Sequence, residues 1–185
     1  MSALLEPLTR HVQQQPARIA IGTSDLRTTI TYGQLDALVR SAMAQLSRMG
    51  LKRGNTVALL SDNSVEFVVG LLAIMFSGAR VAPLNPALTS NELGTRLLQL
   101  SANALLVTGH LANQPGFANS LPQSLAYWIT DLEGSGSSSE VRIVDKQGRT
   151  PAPGATTEPE ILIESDDIAL LMFTGGTTVR PSLFL

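Results

Sequence analysis

Two glycines and three threonines stand together near the end of the chain, in the run Thr174, Gly175, Gly176, Thr177 and Thr178. Glycines let backbone N–H groups approach an anion closely, and threonine hydroxyls add neutral hydrogen-bond donors. The apolar run that precedes them, 168–173, predicts a fully buried strand. This composition fits a phosphate-binding loop that follows a strand, and it also fits a tight turn between two strands.

The spacing of these residues excludes two common nucleotide-binding loops. The run contains no lysine, which the triphosphatase pattern G-x-x-x-x-G-K-[ST] requires, and it does not match the dinucleotide pattern G-x-G-x-x-G. Arg180 is a nearby cation that could partly balance phosphate charge. Asp166 and Asp167 precede the apolar run, but neighbouring side chains on a strand point to opposite faces. They are therefore predicted to serve as turn or cap residues and not as a catalytic pair.

The composition excludes several other classes of protein. The chain has 185 residues, 44% of them hydrophobic and 15% charged, with a formal charge of −2, which predicts one globular domain and gives no electrostatic basis for binding nucleic acid. It has no cysteine, and His11 and His110 are isolated, so no metal centre is expected. We expect neither a transmembrane segment nor a secretory signal, because no apolar run is long enough and the first residues lack a signal-peptide core.

The order of the predicted elements indicates the α/β class. Helix starts are indicated by three capping boxes, in which a threonine or asparagine is followed by glutamine or glutamate three residues later: Thr31 with Gln34, Asn63 with Glu66, and Thr89 with Glu92. Short apolar runs at 56–60, 81–84 and 104–109 predict buried strands between these helices. Strands and helices that alternate in this way predict a mostly parallel sheet flanked by helices.

The middle of the chain gives weaker signals. The run 126–130 predicts a strand, and 141–149 predicts a short hairpin. Stretches rich in glycine and serine, or in proline and threonine, predict flexible surface loops near 133–140 and 150–159. These loops fit surface excursions of one domain, 1–185, better than linkers between two.

The segment FTGGTTVRP, 173–181, resembles the TSGTTGxPKG phosphate loop of the adenylate-forming (AMP-binding) superfamily. Upstream, the run from ITYGQLDALVRSAMAQL through GLKRGNTVALLSDN to GARVAPLNPALTSNEL is similar to the N-terminal region of that superfamily, with its motifs in the expected order. The resemblance covers about 25–181 and identifies the chain as the N-terminal part of the large domain. The sequence PLNP at 83–86 looks most like the carboxylate–CoA ligase branch, of the oxalate or 4-coumarate type.

The resemblance implies an activity and a set of ligands. Members of this superfamily form an acyl-adenylate from a carboxylate and Mg-ATP and then transfer the acyl group to a thiol, usually coenzyme A. ATP, Mg²⁺, coenzyme A and a small carboxylic acid are therefore the implied cofactors and substrate, and the cytoplasm or the peroxisome is the implied compartment. The loop residues Thr174 to Thr178 would contact the phosphates of ATP, with Arg180 as an added cation.

The chain departs from the superfamily pattern in two ways. Val179 occupies a glycine position of the loop, and Ser182 occupies the position of a lysine or arginine. The superfamily motifs with the magnesium-binding glutamate, the ribose-binding aspartate and the catalytic lysine do not occur, so no catalytic residue is assigned. We therefore expect a truncated or fragmentary acid–CoA ligase, inactive alone in adenylation and prone to self-association through exposed apolar surface. The alternatives are a non-catalytic interaction or decoy module and an unrelated nucleotide-binding doubly wound domain.

Overall fold

The computed structural model describes residues 5–22, 29–133, 140–152, 168–173 and 183–184. Their helices and strands follow in chain order: α1 Leu5–Gln14, β1 Ile19–Gly22, β2 Thr29–Thr31, α2 Tyr32–Arg48, β3 Thr56–Leu60, α3 Val65–Phe76, β4 Arg80–Leu84, α4 Ser90–Gln99, β5 Ala104–Thr108, α5 Gly109–Ala112, a 3₁₀ turn Ala118–Ser120, β6 Ala126–Glu133, β7 Glu140–Asp145, β8 Met172–Phe173 and β9 Leu183–Phe184. Within this part of the chain no helix is both long and apolar enough to cross a membrane.

The main sheet has five strands in the order β4-β3-β5-β6-β7. Strands β3 to β6 are parallel to one another, and β7 pairs antiparallel with β6 at one edge. Two small antiparallel pairs, β1 with β2 and β8 with β9, lie outside this sheet. The predicted α/β fold, a mostly parallel sheet flanked by helices, is confirmed.

The central strands are buried on both faces. Along β3, Val57 and Leu59 pack with α2 and α3, whereas Ala58 and Leu60 pack on the opposite face with α4. Every residue of β3 and of β5 is buried. A strand that is covered on both faces is mostly apolar, which is why these runs show no polar alternation and carry polar residues, Thr56 and Thr108, only at their ends.

Two of the three predicted capping boxes are confirmed. The Gln34 N–H donates to the Thr31 hydroxyl at 3.3 Å, and the Thr31 N–H donates to the Gln34 side chain at 2.8 Å; Thr89 and Glu92 make the equivalent bonds at the start of α4. Helix α2 ends just before Gly50, whose φ of 94° is easily adopted only by a residue without Cβ.

The third capping box is wrong. Helix α3 is capped by Ser64, whose hydroxyl accepts a hydrogen bond from the Phe67 N–H at 3.2 Å, and not by Asn63. Both side chains are good caps, and the extended backbone of Ser64, with φ −140° and ψ 173°, places the serine at the N-cap position.

The expected hairpin over 141–149 is also wrong. Residues Glu140–Asp145 form one strand, which pairs with β6 in a register that sets Val141 opposite Leu132 and Ile143 opposite Thr130. This pairing buries Val141 and Ile143 against the main core, which a local hairpin would not do. The strand predicted at 126–130 is confirmed and continues to Glu133. The loop predicted near 133–140 lies mostly outside the described residues, as does most of 150–159.

The run 168–173 was expected to be a fully buried strand, and this is wrong. Only Leu171 is buried, at 3% exposure, whereas Leu170 is 38% and Met172 57% exposed. The segment lies beside the edge strand β4, where Val81 donates to the Ala169 carbonyl and accepts from the Leu171 N–H, both at 2.9 Å. At the edge of the sheet fewer neighbouring elements cover the segment than at its centre, which explains why Leu170 and Met172 are exposed.

The two capping boxes should respond differently to pH. The hydroxyl of Thr89 and then its backbone N–H hold the pKa of Glu92 below its usual value of 4.5, whereas Thr31 pairs with the uncharged Gln34. Because the pKa of Glu92 is lowered in the folded state, its stabilising contribution is present above pH 4.5 and is lost as the pH falls through the folded value.

We expect Thr31→Ala to cost about 0.5–2 kcal/mol of unfolding free energy at both neutral and acid pH. We expect Thr89→Ala to destabilise the chain clearly at pH 7 and less at pH 3.5. Urea unfolding at the two pH values measures both effects, and Thr95→Ala in the exposed part of α4 is the control. An equal loss for Thr89→Ala at both pH values would contradict this account.

Candidate functional site

The candidate site is the loop that joins β8 to β9. The predicted phosphate contacts Thr174, Gly175, Gly176, Thr177, Thr178 and Arg180 lie outside the described residues, as do Val179 and Ser182. The residues on either side are described: Met172 pairs with Phe184, and Phe173 pairs with Leu183, in an antiparallel ladder. This pairing brings the two ends of the loop together, so the chain leaves and returns at one place.

The loop begins at the carboxyl edge of the parallel sheet. Residues 168–171 run parallel to β4, so the segment reaches Phe173 on the same side as the carboxyl end of β4. Ligands of open α/β sheets bind in crevices at the carboxyl ends of the strands. Phe173, the last described residue before the glycine–threonine run, therefore lies at the edge where proteins of this fold class bind ligands.

A cavity of about 310 Å³ opens directly before the loop. It lies between the end of β4, helix α4 and the last residues before Thr174. Its lining residues are Pro83, Leu84, Asn85, Leu88, Arg96, Met172 and Phe173. The walls are mostly apolar, and Arg96 is the one charged residue in this described lining.

Arg96 is held over the residue that precedes the loop. Its guanidinium carbon lies 4.6 Å from the centre of the Phe173 ring, in a cation–π contact, and its Nη1 donates to the Gln99 side chain at 3.0 Å. Helix α4, which the Thr89–Glu92 box begins, carries Arg96 one turn after Glu92. Arg96 therefore places a positive charge at the start of the loop, and its contacts with Phe173 and Gln99 fix its orientation.

A second polar cluster lies at the same carboxyl edge. Asp62 follows β3 and His110 follows the neighbouring strand β5, and their side chains meet with Nε2 and Oδ2 2.5 Å apart, each more than half exposed. Asp131 of β6 accepts a hydrogen bond from the Gly109 N–H at 3.2 Å. The hydroxyl of Thr108, at the end of β5, is buried and has no hydrogen-bond partner within the described residues.

His110 is isolated in the sequence, and its contact with Asp62 was not predicted from the sequence. The two residues are 48 positions apart, and each comes shortly after a buried strand. A signal was present, because residues that follow adjacent parallel strands lie close together in space. In the described ranges no three His, Cys, Asp or Glu side chains come together as a metal site. Within the described cavity lining, the Arg96 guanidinium is the group whose charge would attract an anion.

Comparison with known protein families gives a match over nearly the whole chain. The family described as "AMP-binding enzyme" matches residues 8–182, a range that includes the glycine–threonine loop. Among curated proteins, the oxalate–CoA ligase of Arabidopsis thaliana is 32% identical over 182 residues, which are 98% of this chain and 34% of that protein. The peroxisomal OPC-8:0-CoA ligase 1 of the same plant is 29% identical over 90% of this chain and 30% of its own length. The chain thus spans about a third of these relatives.

Solved structures with the same fold include the N-terminal domain of FACL13 from Mycobacterium tuberculosis, with a TM-score of 0.75 and 23% identity over 99% of this chain and 44% of that one. The O-succinylbenzoate coenzyme A synthetase of Bacillus subtilis, solved in complex with AMP, has a TM-score of 0.70 and 23% identity over 95% of this chain and 40% of that one. Both likenesses concern the fold, and the first is to a domain described as N-terminal.

The contact between Gly109 and Asp131 gives a prediction for the stability of the carboxyl edge. A Cβ at position 109 would overlap the Asp131 carboxylate. Because Asp131 is exposed and its carboxylate can rotate away, we expect Gly109→Ala to lower the unfolding free energy by about 0.5–1.5 kcal/mol, mainly through the loss of the hydrogen bond from the Gly109 N–H. In the double variant Gly109→Ala with Asp131→Ala, the overlap is removed and the combined cost should be smaller than the sum of the two single costs. Additive costs in denaturant unfolding would show that the two positions do not interact.

Proposed function

The chain belongs to the AMP-binding enzyme family, and from this premise we propose that it forms the N-terminal, phosphate-binding part of an acid–CoA ligase. Such an enzyme joins a carboxylate to AMP from ATP, releases pyrophosphate and passes the acyl group to coenzyme A. The observation that carries the proposal is the family match over 8–182, which includes the loop, together with the β8–β9 pairing that brings the loop ends together. We assign binding to the loop and no catalytic residue to the chain.

The proposed role of the loop follows from its chemistry. Amides and hydroxyls of Thr174 to Thr178 would hold the β- and γ-phosphates and stabilise the charge that develops on the leaving pyrophosphate. Arg180 within the loop would add positive charge, and so would Arg96, which lies beside Phe173 at the start of the loop. The lysine or arginine that the superfamily usually has after the proline is replaced by Ser182 in this chain. Mg²⁺ would arrive with the phosphates of ATP, since Mg²⁺ in such sites is held by one or two carboxylates together with the substrate phosphates.

The acid substrate and the compartment are proposed from the relatives. Two of them are named as CoA ligases, one for oxalate and one for OPC-8:0, and the second is named as peroxisomal. We propose a small carboxylic acid as the substrate, and the cytoplasm or the peroxisome as the location.

Variants of the loop test this function through the affinity for ATP. We expect Val179→Gly combined with Ser182→Lys, which restores the superfamily pattern, to tighten ATP binding by about tenfold or more, because a hydrogen bond to a charged group contributes roughly 1.5–3 kcal/mol. Gly175→Val should weaken binding, since the added side chain keeps phosphate away from the backbone amides. Isothermal titration of the chain with Mg-ATP measures both.

Ser47→Ala, on the exposed side of α2, is the matched control and should bind like the wild type. If tripolyphosphate competes with ATP and adenosine does not, the chain binds ATP through its phosphates. A wild-type chain that binds no ATP, or loop variants with unchanged affinity, would refute the proposed function.

We also propose self-association through the exposed apolar edge formed by Ile168, Leu170 and Met172. These alternate residues are 38%, 38% and 57% exposed. An apolar stripe of this kind on an edge segment favours association with a second copy of the chain. We expect Leu170→Lys to raise the concentration at which dimers form in sedimentation velocity, and Thr95→Lys in α4 to have no effect. Equal association of the two variants would contradict the proposal.

A further inference from the structure

The cavity that opens before the loop has two polar side chains in its described lining, and both present hydrogen-bond donors. The Asn85 side-chain oxygen accepts a hydrogen bond from the Ala87 N–H at 2.9 Å, and its NH₂ group is a donor. Arg96 has donors only, and one of them bonds to Gln99. These side chains therefore fit a ligand that supplies hydrogen-bond acceptors.

The positive charge of Arg96 is not neutralised by a neighbour within the described residues. Its hydrogen-bond partner Gln99 is uncharged. Glu92, the acidic residue of α4, lies one turn earlier, and its carboxylate bonds to the N–H and hydroxyl of Thr89 at 2.8 and 2.6 Å. No acidic side chain belongs to the described lining, so an anion that enters the cavity meets one cation and no opposing charge.

The remaining walls of the cavity are apolar and rest on the core. Leu84 is 6% exposed and belongs to the buried cluster beneath α4, and Leu88 and Phe173 pack against the same cluster. Mostly apolar walls with a few polar groups are typical of small-molecule sites, and about 310 Å³ lies at the lower end of their size range. Since an apolar cavity of about 150 Å³ holds benzene, a body the size of one ring fits here.

We propose that this cavity binds a small carboxylate whose apolar part is about the size of one ring. The carboxylate would lie on Arg96, because two parallel N–H groups of a guanidinium match its two oxygens. The apolar part would lie against Leu84 and Leu88. The contact of the guanidinium with the Phe173 ring, at 4.6 Å, orients the charge before a ligand arrives. This site goes beyond the proposed function, since it uses residues of β4, α4 and β8 and none of the glycine–threonine loop.

The first test compares three probes: benzoate, the uncharged benzamide, and acetate, which lacks the apolar part. The parent chain carries Leu170→Lys, so that self-association does not cover Met172 at the rim of the cavity. Methyl chemical shifts of the isotope-labelled chain are recorded without nucleotide, so the result does not depend on whether the loop binds ATP. We expect benzoate to shift the methyl signals of Leu84, Leu88 and Met172 with a Kd on the order of 1–10 mM. Benzamide and acetate should bind at least about fivefold more weakly.

The second test removes the cation. Arg96→Gln should weaken benzoate about tenfold and leave benzamide unchanged, whereas Arg96→Lys should recover part of the loss. Arg48→Gln, at the exposed end of α2, removes the same charge far from the cavity and should bind benzoate like the parent. If Arg96→Gln folds poorly, Leu88→Trp serves instead, because its larger side chain fills the cavity and should abolish the shifts at Leu84 and Met172. Equal affinity for benzoate and benzamide, unchanged benzoate affinity in Arg96→Gln or Leu88→Trp, or shifts confined to residues outside the lining would each overturn the inference.

Discussion

The burial of the parallel strands on both faces is the constraint on which the rest of the structure depends. Every residue of β3 and β5 is buried, and the helices pack so closely that a Cβ on Gly70 of α3 would lie 3.0 Å from the Leu106 side chain. Such strands cannot carry exposed polar groups along their length. Polar residues therefore gather at the strand ends, and the Asp62–His110 pair, Asp131 and the start of the glycine–threonine loop all lie at the carboxyl edge.

The two lateral edges of the sheet, at β7 and at β4, differ in what lies beside them. At β7 the Val141 carbonyl and the Ile143 N–H are bonded to the Gln45 side chain, and the Asp145 N–H is bonded to the turn that follows. Beside β4, Leu170 forms an isolated parallel bridge with Val81, and the segment 168–173 is only partly buried and leads to the loop. The loop that is proposed to bind phosphate therefore starts on the β4 side of the sheet, beside a cavity in which Arg96 stacks on Phe173.

The sequence predicted the features that depend on local chemistry. The capping boxes at Thr31 and Thr89 need residues only three positions apart, and buried strands show as apolar runs. Prediction from the sequence was wrong where contacts with distant residues determine the local structure. Ser64 and Asn63 are both good caps, so only the backbone distinguished them, and the exposure of 168–173 depends on its place at an edge. The contacts of Gln45 with β7 join residues 96 and 98 positions apart, and no periodicity reports them.

The central claim is that the glycine–threonine loop binds the phosphates of ATP. Amide chemical shifts of the isotope-labelled chain, recorded while Mg-ATP is added, test it most directly because they report on each residue of the loop. The account predicts that the largest shift changes fall on the amides of Thr174 to Thr178 and are reproduced by tripolyphosphate. Saturating Mg-ATP that leaves these amides unchanged, or that shifts amides elsewhere alone, would contradict it.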